Sequence, residues 1–407
     1  MHVDSDLCLI GVESVAAAIT LVSVLLLAVP VSAAQEGVPV PSDSNVSARV
    51  TRLWRSFPRV DVAGEVSLAW PSSLAMDSKG RLFIADLGPQ GGVGPGRIYV
   101  LNRDFQVEVV VGNTEDCTVR IPQITYPLDI ALDSHDRLYV ADLDLSRDEQ
   151  AVEILGPDLS YLGSVPIPDG GPSCVAVDSK GRLLVGNFRA LGESQILVYA
   201  TNKSDPTGGS MILQTRFQIC PPGENCDNLH GWHNDISVGP DGTIVITEAE
   251  EGPGVGLFRV VVLDKDFRWL FSFKVPGQDP GTYLPVHSTV VDPSGVFVVA
   301  SLGQVAFFFP NGTYAGRIGR QGAETGEFSR GFGLLLVTDR GRLLVPETGN
   351  ARIQEVAVDM GTLRPVKPWQ GIPEPAEICL TVVWIALGYV LLSRQRIRQS
   401  SLGPQPN

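Results

Sequence analysis

The chain has 407 residues, is rich in glycine (43) and proline (30), and carries a formal net charge of −14. That acidity excludes a sequence-independent grip on nucleic acid, which relies on many Lys and Arg. Plentiful turn formers and the lack of any long amphipathic stretch point to many short strands rather than helices.

The first predicted element is an apolar run, Val15 to Val31, ending in Val31-Ser32-Ala33-Ala34-Gln35. Small residues there suit signal peptidase, so residues 1–34 are expected to be a signal peptide. The residues ahead of the run include Asp4, Asp6 and Glu13 and no Lys or Arg. That departs from a positive leader and leaves open an uncleaved N-terminal anchor, or a start codon placed too early. Residues 35–47 read as a flexible polar linker.

The stretch from Pro71 to Asp86, PSSLAMDSKGRLFIAD, reads as two strands joined by a tight turn. An aspartate early in the turn bonds its own backbone, and a late glycine supplies positive φ. The unit recurs as PLDIALDSHDRLYVAD from Pro127, PSCVAVDSKGRLLVGN from Pro172 and HNDISVGPDGTIVITE from His233. Two further copies are VHSTVVDPSGVFVVAS from Val286 and FGLLLVTDRGRLLVPE from Phe332. A period of roughly 40–50 residues with four strands per copy is the signature of a β-propeller. The predicted fold is therefore all-β, a six-bladed β-propeller over residues 48–363, flanked by N- and C-terminal hydrophobic segments.

Third and fourth strands follow each hairpin, except that the sixth copy has no fourth strand of its own; Pro365 cuts it short. The segment Arg49 to Phe57 precedes the first hairpin without a partner. It is expected to pair as the outer strand of the last blade, closing the ring and leaving no long open edge.

The copies resemble NHL repeats. The best match is GRLLVPETGNARIQEV, Gly341 to Val356, with its Gly-Asn and Arg-Ile-Gln core; LFIAD and LYVAD carry the same strand. The resemblance implies a propeller and says little about function, because this fold hosts enzymes, RNA readers and binders alike.

Ligands of propellers are expected at one mouth of the central channel. Near the start of each first strand, the aligned positions are Ser73, Asp129, Cys174, Asp235, Ser288 and Leu334. At the ends of the second strands they are Asp86, Asp142, Asn187, Glu248, Ser301 and Glu347. This second set is expected to be structural, bonding nearby backbone or an arginine of the next blade. The longest insertion, CPPGENCDNLHGWHND, precedes the fourth copy and brings His230 and His233; His287 opens the fifth. Histidine with carboxylate suits zinc, and Asn and Asp oxygens suit calcium. Related six-bladed propellers include calcium-dependent lactonases and a zinc-dependent amidating lyase, so the resemblance implies that a metal enzyme is conceivable. Asp129, His230, His233, Asp235, Glu248 and His287 are the candidate ligand or metal residues, set against the plainer reading of a Trp/His loop packed over the mouth. No catalytic residue is assigned.

In an exported protein Cys220 and Cys226 are expected to form a disulfide that staples the insertion. Cys117 and Cys174 are a further candidate pair, or else buried thiols. Gly91 to Gly96 is glycine-rich but precedes a strand, so it cannot present a helix N-terminus to a phosphate. Asn45, Asn202 and Asn311 begin N-x-[ST] sequons.

After a linker, residues 364–371, comes Pro373-Glu374-Pro375, an apolar run from Ile378 to Leu392, and Arg394, Arg396 and Arg398. Basic residues after the run keep that end in the cytoplasm and place the propeller outside. This segment, residues 372–398 with a tail over 399–407, resembles a PEP-CTERM sorting signal, which implies processing by an exosortase. An ordinary C-terminal anchor is the alternative.

These features favour a monomeric binding module, exported and held at the cell envelope, that presents a face to a protein, glycan or small molecule. The alternative is a secreted calcium- or zinc-dependent hydrolase or lyase at the channel mouth.

Overall fold

The structure is a computed structural model. It describes residues 38–39, 42, 46–60, 64–89, 95–143, 150–188, 195–205, 209–217, 219, 231–250, 257–277, 282–329, 333, 335–337 and 342–363. The hydrophobic end segments, Pro373-Glu374-Pro375 with Arg394, Arg396 and Arg398, Gly91 to Gly94, Asn45, Cys220, Cys226 and His230 lie outside them. Among the described residues no helix is long and apolar enough to cross a membrane.

Six sheets form the blades, each built on four antiparallel strands; those of blades one and six carry a fifth, which in blade one is Val119–Arg120, paired parallel to the outer strand. Blade one is Pro71–Met76, Leu82–Asp86, Arg97–Leu101 and Val107–Gly112; blade two runs from Pro127–Leu132 to Tyr161–Ile167. Blade three runs from Gly171–Val177 to Met211–Phe217, blade four from Gly231–Val238 to Trp269–Phe273, and blade five from Val286–Val291 to Tyr314–Ile318. Blade six is Leu335–Val337, Arg342–Glu347 and Arg352–Val358, completed by Ala48–Trp54 from the other end of the chain. Ala48 pairs with Val358 and Trp54 with Ile353, so the N-terminal strand closes the ring as expected. Part of the expected linker is also docked. Val38–Pro39 pairs with Arg49 and Val50, covering the edge that the closing strand would otherwise expose.

The turns form as their residues dictate. Asp77 Oδ1 accepts from the Lys79 and Arg81 amides, and Gly80 takes φ +75°. Asp133 and Asp178 repeat the arrangement, and the arginines Arg81, Arg137 and Arg182 each close a salt bridge back to that aspartate.

The core is not one mass but six clusters, one between each pair of neighbouring blades. Second strands are largely apolar on both faces up to the clip position, because alternate residues face opposite neighbours. Phe83 faces blade two while Leu82 and Ile84 face blade six; Tyr139 faces blade three while Leu138 and Val140 face blade one. Each large side chain so buried stabilises by roughly 1.5–3 kcal/mol.

The blades belong to one unit, Met1–Val275 with Tyr283–Pro365. Of a second, Pro276–Thr282 with Val366–Asn407, the described part is a turn in which the Gly277 amide donates to the Thr282 carbonyl at 2.8 Å.

Candidate channel-mouth site

In blades one to five a β-bulge interrupts the first strand just before its channel-facing position, between Pro71 and Ser73, Pro127 and Asp129, Pro172 and Cys174, His233 and Asp235, and Val286 and Ser288. A bulge bends the strand and re-aims a side chain. Here it sets Ser73, Asp129, Cys174, Asp235 and Ser288 in a belt around the channel.

The belt is stitched from blade to blade. Ser73 Oγ donates to Asp129 Oδ1 at 2.6 Å, and the Val175 amide donates to Asp129 Oδ2 at 2.8 Å. One carboxylate thereby joins blades one, two and three. Cys174 Sγ donates to the His233 carbonyl at 3.6 Å, joining blades three and four. Asp235 Oδ2 accepts from Ser288 Oγ at 2.5 Å and from the Thr289 amide at 2.9 Å, joining blades four and five.

Asp129 and Asp235 are half-buried by exposed area yet lie deep in the molecule, as groups lining a narrow channel do. Burial pushes both carboxyls above the usual range, and the charge of Asp235 adds to the effect at Asp129. The Cys174 thiol between them is held protonated, first by burial and then by the two carboxylates. Its place in the innermost strand leaves it remote from Cys117, which follows the outer strand of blade one and lies 3.1 Å from Thr114 Oγ1. Both cysteines are free, so the Cys117–Cys174 bridge does not form.

The second ring is structural. Asp86 accepts from the Ala69 and Trp70 amides at 2.8 and 3.0 Å, and Asp142 accepts from those of Thr125 and Tyr126 at 2.9 and 2.6 Å. Each acid clips the chain entering its own blade. At Pro285 the entering residue has no amide hydrogen, and the clip reverses: Ser301 Oγ donates to the Pro285 carbonyl at 2.6 Å. Asn187 likewise donates to the Pro168 carbonyl. Glu347 accepts from the Ser329 amide and, fully buried, from Arg352 and Gln354.

Glu248 departs from the pattern. It pairs with Arg259 at 2.6 Å, and its other oxygen lies 3.9 Å from His233 Nδ1. His233 is buried against blade three, where a Cβ on Gly186 would come 3.2 Å from His233 Cβ and 2.5 Å from Cys174 Sγ. His287 sits at the bulge of blade five, and burial lowers its pKa, keeping it neutral. The structure thus brings Asp129 and Asp235 to one channel and sets His233 beside Glu248, whose bonded partner is Arg259. Among the described residues no three His, Cys, Asp or Glu side chains are grouped to hold a metal ion.

Two aromatic residues escaped the sequence reading. Trp70 and Tyr126 stand just ahead of the first strands of blades one and two, at the same point of the repeat, and both are half-buried. Their recurrence shows once the copies are aligned on the turn, with Trp232 in the fourth.

No protein-family model matches the chain, and no curated protein matches it. Among solved structures it is similar to a gluconolactonase from Xanthomonas campestris, at 13% identity and TM-score 0.50 over 81% of this chain and 99% of that one. A putative gluconolactonase is similar at 12% identity and TM-score 0.46, over 81% and 96%. An auxiliary nutrient binding protein from Bacteroides thetaiotaomicron is similar at 14% identity and TM-score 0.47, over 80% and 76%. At these identities the likeness concerns the fold alone. The fold and the ring of blades define the chain as a six-bladed β-propeller protein.

Proposed function

We propose that the chain is an NHL-type propeller serving as a non-catalytic binding module, exported and held at a bacterial cell envelope with the propeller outside the cytoplasm. The observation that carries this reading is the use made of the channel acids. Asp129 and Asp235 are each committed to hydrogen bonds that hold neighbouring blades together. The clip acids Asp86 and Asp142 are likewise committed to backbone. A mouth whose acids serve the scaffold suits a rigid recognition face for a protein, glycan or small molecule. Export and anchoring rest on the apolar end segments and on the Pro373-Glu374-Pro375 tail, read as a PEP-CTERM signal.

One observation favours the alternative, a secreted hydrolase or lyase. The two channel carboxyls have pKa values raised by burial, as groups that transfer protons near neutral pH do. Calcium or zinc would have to be held there by Asp129, Asp235 and the histidines.

The test is elemental analysis of the full chain, purified in detergent without chelator, beside Asp235→Asn. A folded chain without stoichiometric metal fits the module. One calcium or zinc ion per chain, lost in the variant, would move the hydrolase ahead. Proteolysis of intact cells tests the location: external protease should digest the propeller.

A further inference from the structure

Each blade leaves a sheet edge at the rim of the ring, where its outer strand has a partner on one side only. Every second residue of such a strand turns its N–H and C=O outward, ready to pair with another chain unless the edge is blunted. Blades one, five and six meet other segments of the chain there. Val119–Arg120 runs parallel to Val111 and Gly112 in blade one, Ser42 bridges Ile318 in blade five, and Val38–Pro39 pairs with the closing strand of blade six. Blades two and three carry residues that discourage pairing. Pro166 has no amide hydrogen to offer, and Arg216 stands exposed beside Gln214 and Thr215.

Blade four has neither device. Its outer strand, Trp269–Phe273, reads WLFSF, without a charge or a proline, and among the described residues no segment pairs with its outer side. The strand is held firmly from within. Trp269, Phe271 and Phe273 are half-buried against the inter-blade clusters, and the Phe273 ring lies 4.3 Å from that of Phe308 in blade five. Leu270 is 50% exposed.

Cations stand at both ends of this strand, in a chain whose net charge is −14. Arg268 is exposed just before it. The acids nearest to Arg268 in sequence are engaged: Asp264 Oδ1 accepts from the Asp266 and Arg268 amides, and Asp266 pairs with Lys180 at 3.1 Å. Lys274 follows the strand, its Nζ 5.0 Å from the ring centre of the exposed Tyr283. These charges choose between occupants. A two-fold pair of copies, antiparallel about Phe271, would set Arg268 of each beside Lys274 of the other, and like charges directly opposite destabilise a sheet. A foreign strand with an acid at each end would meet a cation at each.

We propose that the outer edge of blade four is a docking site for an extended acidic peptide segment of a partner protein, which adds to the blade as a fifth strand. Main-chain hydrogen bonds supply the affinity. An apolar side chain beside Leu270, and carboxylates beside Arg268 and Lys274, set the register. The site lies at the rim, so it stands whichever way the channel is used.

The experiment is fluorescence-anisotropy titration of the full chain in detergent, at low ionic strength, with a labelled peptide EVTVYVE blocked at both ends. Two counterparts accompany it: KVTVYVK, and EVTVYVE N-methylated along its length, which keeps the side chains and removes the backbone donors. The first peptide is expected to bind at least about tenfold more tightly than either counterpart. Arg268→Glu combined with Lys274→Glu should invert the preference, so that KVTVYVK binds the more tightly, with the thermal transition moved by no more than a few degrees. Arg216→Glu, on the edge of blade three, should change nothing. No binding of any peptide, equal affinity for the N-methylated one, a preference that survives the charge reversal, or an equal loss in Arg216→Glu overturns the proposal. If the double variant fails to fold, Arg268→Glu alone replaces it and should weaken the first peptide about threefold. A chain that dimerises by itself, with the dimer broken by Leu270→Lys, would overturn it in favour of a second copy at this edge.

Discussion

Asp129 has a double task at the residue scale: it faces the channel and ties three blades together. Its raised pKa means that the folded state holds a proton more tightly than the unfolded chain. Between the ordinary carboxylate range and neutrality the native state therefore binds more protons, and stability falls as pH rises. Asp129→Asn should flatten that part of the pH–stability curve in urea titrations. A slope identical to that of the parent would refute the assignment. Asp142 acts differently, as a clip. Asp142→Ala strips the Thr125 and Tyr126 amides of their acceptor and should cost about 2–3 kcal/mol, read from the urea midpoint. Gly186→Ala should be more disruptive than its size suggests, because the added Cβ meets Cys174 Sγ at 2.5 Å. A small residue at that point lets Cys174 and His233 share the seam.

The element scale is where the sequence spoke most clearly. The D-S-K-G and D-P-S-G turns, and apolar runs such as LFIAD, state a hairpin and a strand buried on both faces. Each blade's second strand follows from them. The closing strand was legible for a different reason: Ala48–Trp54 had strand character and no neighbour, while the sixth copy lacked its fourth strand. Deleting residues 46–54 should abolish the cooperative thermal transition of the whole propeller rather than fray one blade. Hydrogen exchange that stayed protected in blades two to four would contradict this. The site was harder to read. Asp129 and Asp235 stood out as acids in an apolar strand, but their serine and amide partners lie on other blades. A contact of that kind has no fixed spacing in sequence. Glu248 was expected to bond backbone or an arginine of the next blade, and the structure gives it Arg259 of its own blade instead. The Cys117–Cys174 pairing failed because linear order hides radial position: one thiol is at the rim of the ring and the other at its centre.

At the scale of the molecule, stability resides in interfaces between blades, and the ring tolerates a change of chain order if every interface survives. The Asp359 amide donates to the Ser47 carbonyl at 3.0 Å, and Ala48 pairs with Val358. A permuted propeller that runs from Val358 through a short turn into Ala48–Trp54, with a new N-terminus at Ser56, should fold and melt within a few degrees of the parent. A large loss would mean that the link between Trp54 and Ser56 matters beyond its pairing. The same seam has a mechanical side. The closing strand enters and the last strand leaves at one end of their shared ladder. Tension applied between those two chain ends would peel the ladder open pair by pair rather than load all its bonds at once. The ring is thus weakest to pulling where its two ends meet, and a tether drawn taut from both sides would open the propeller there first.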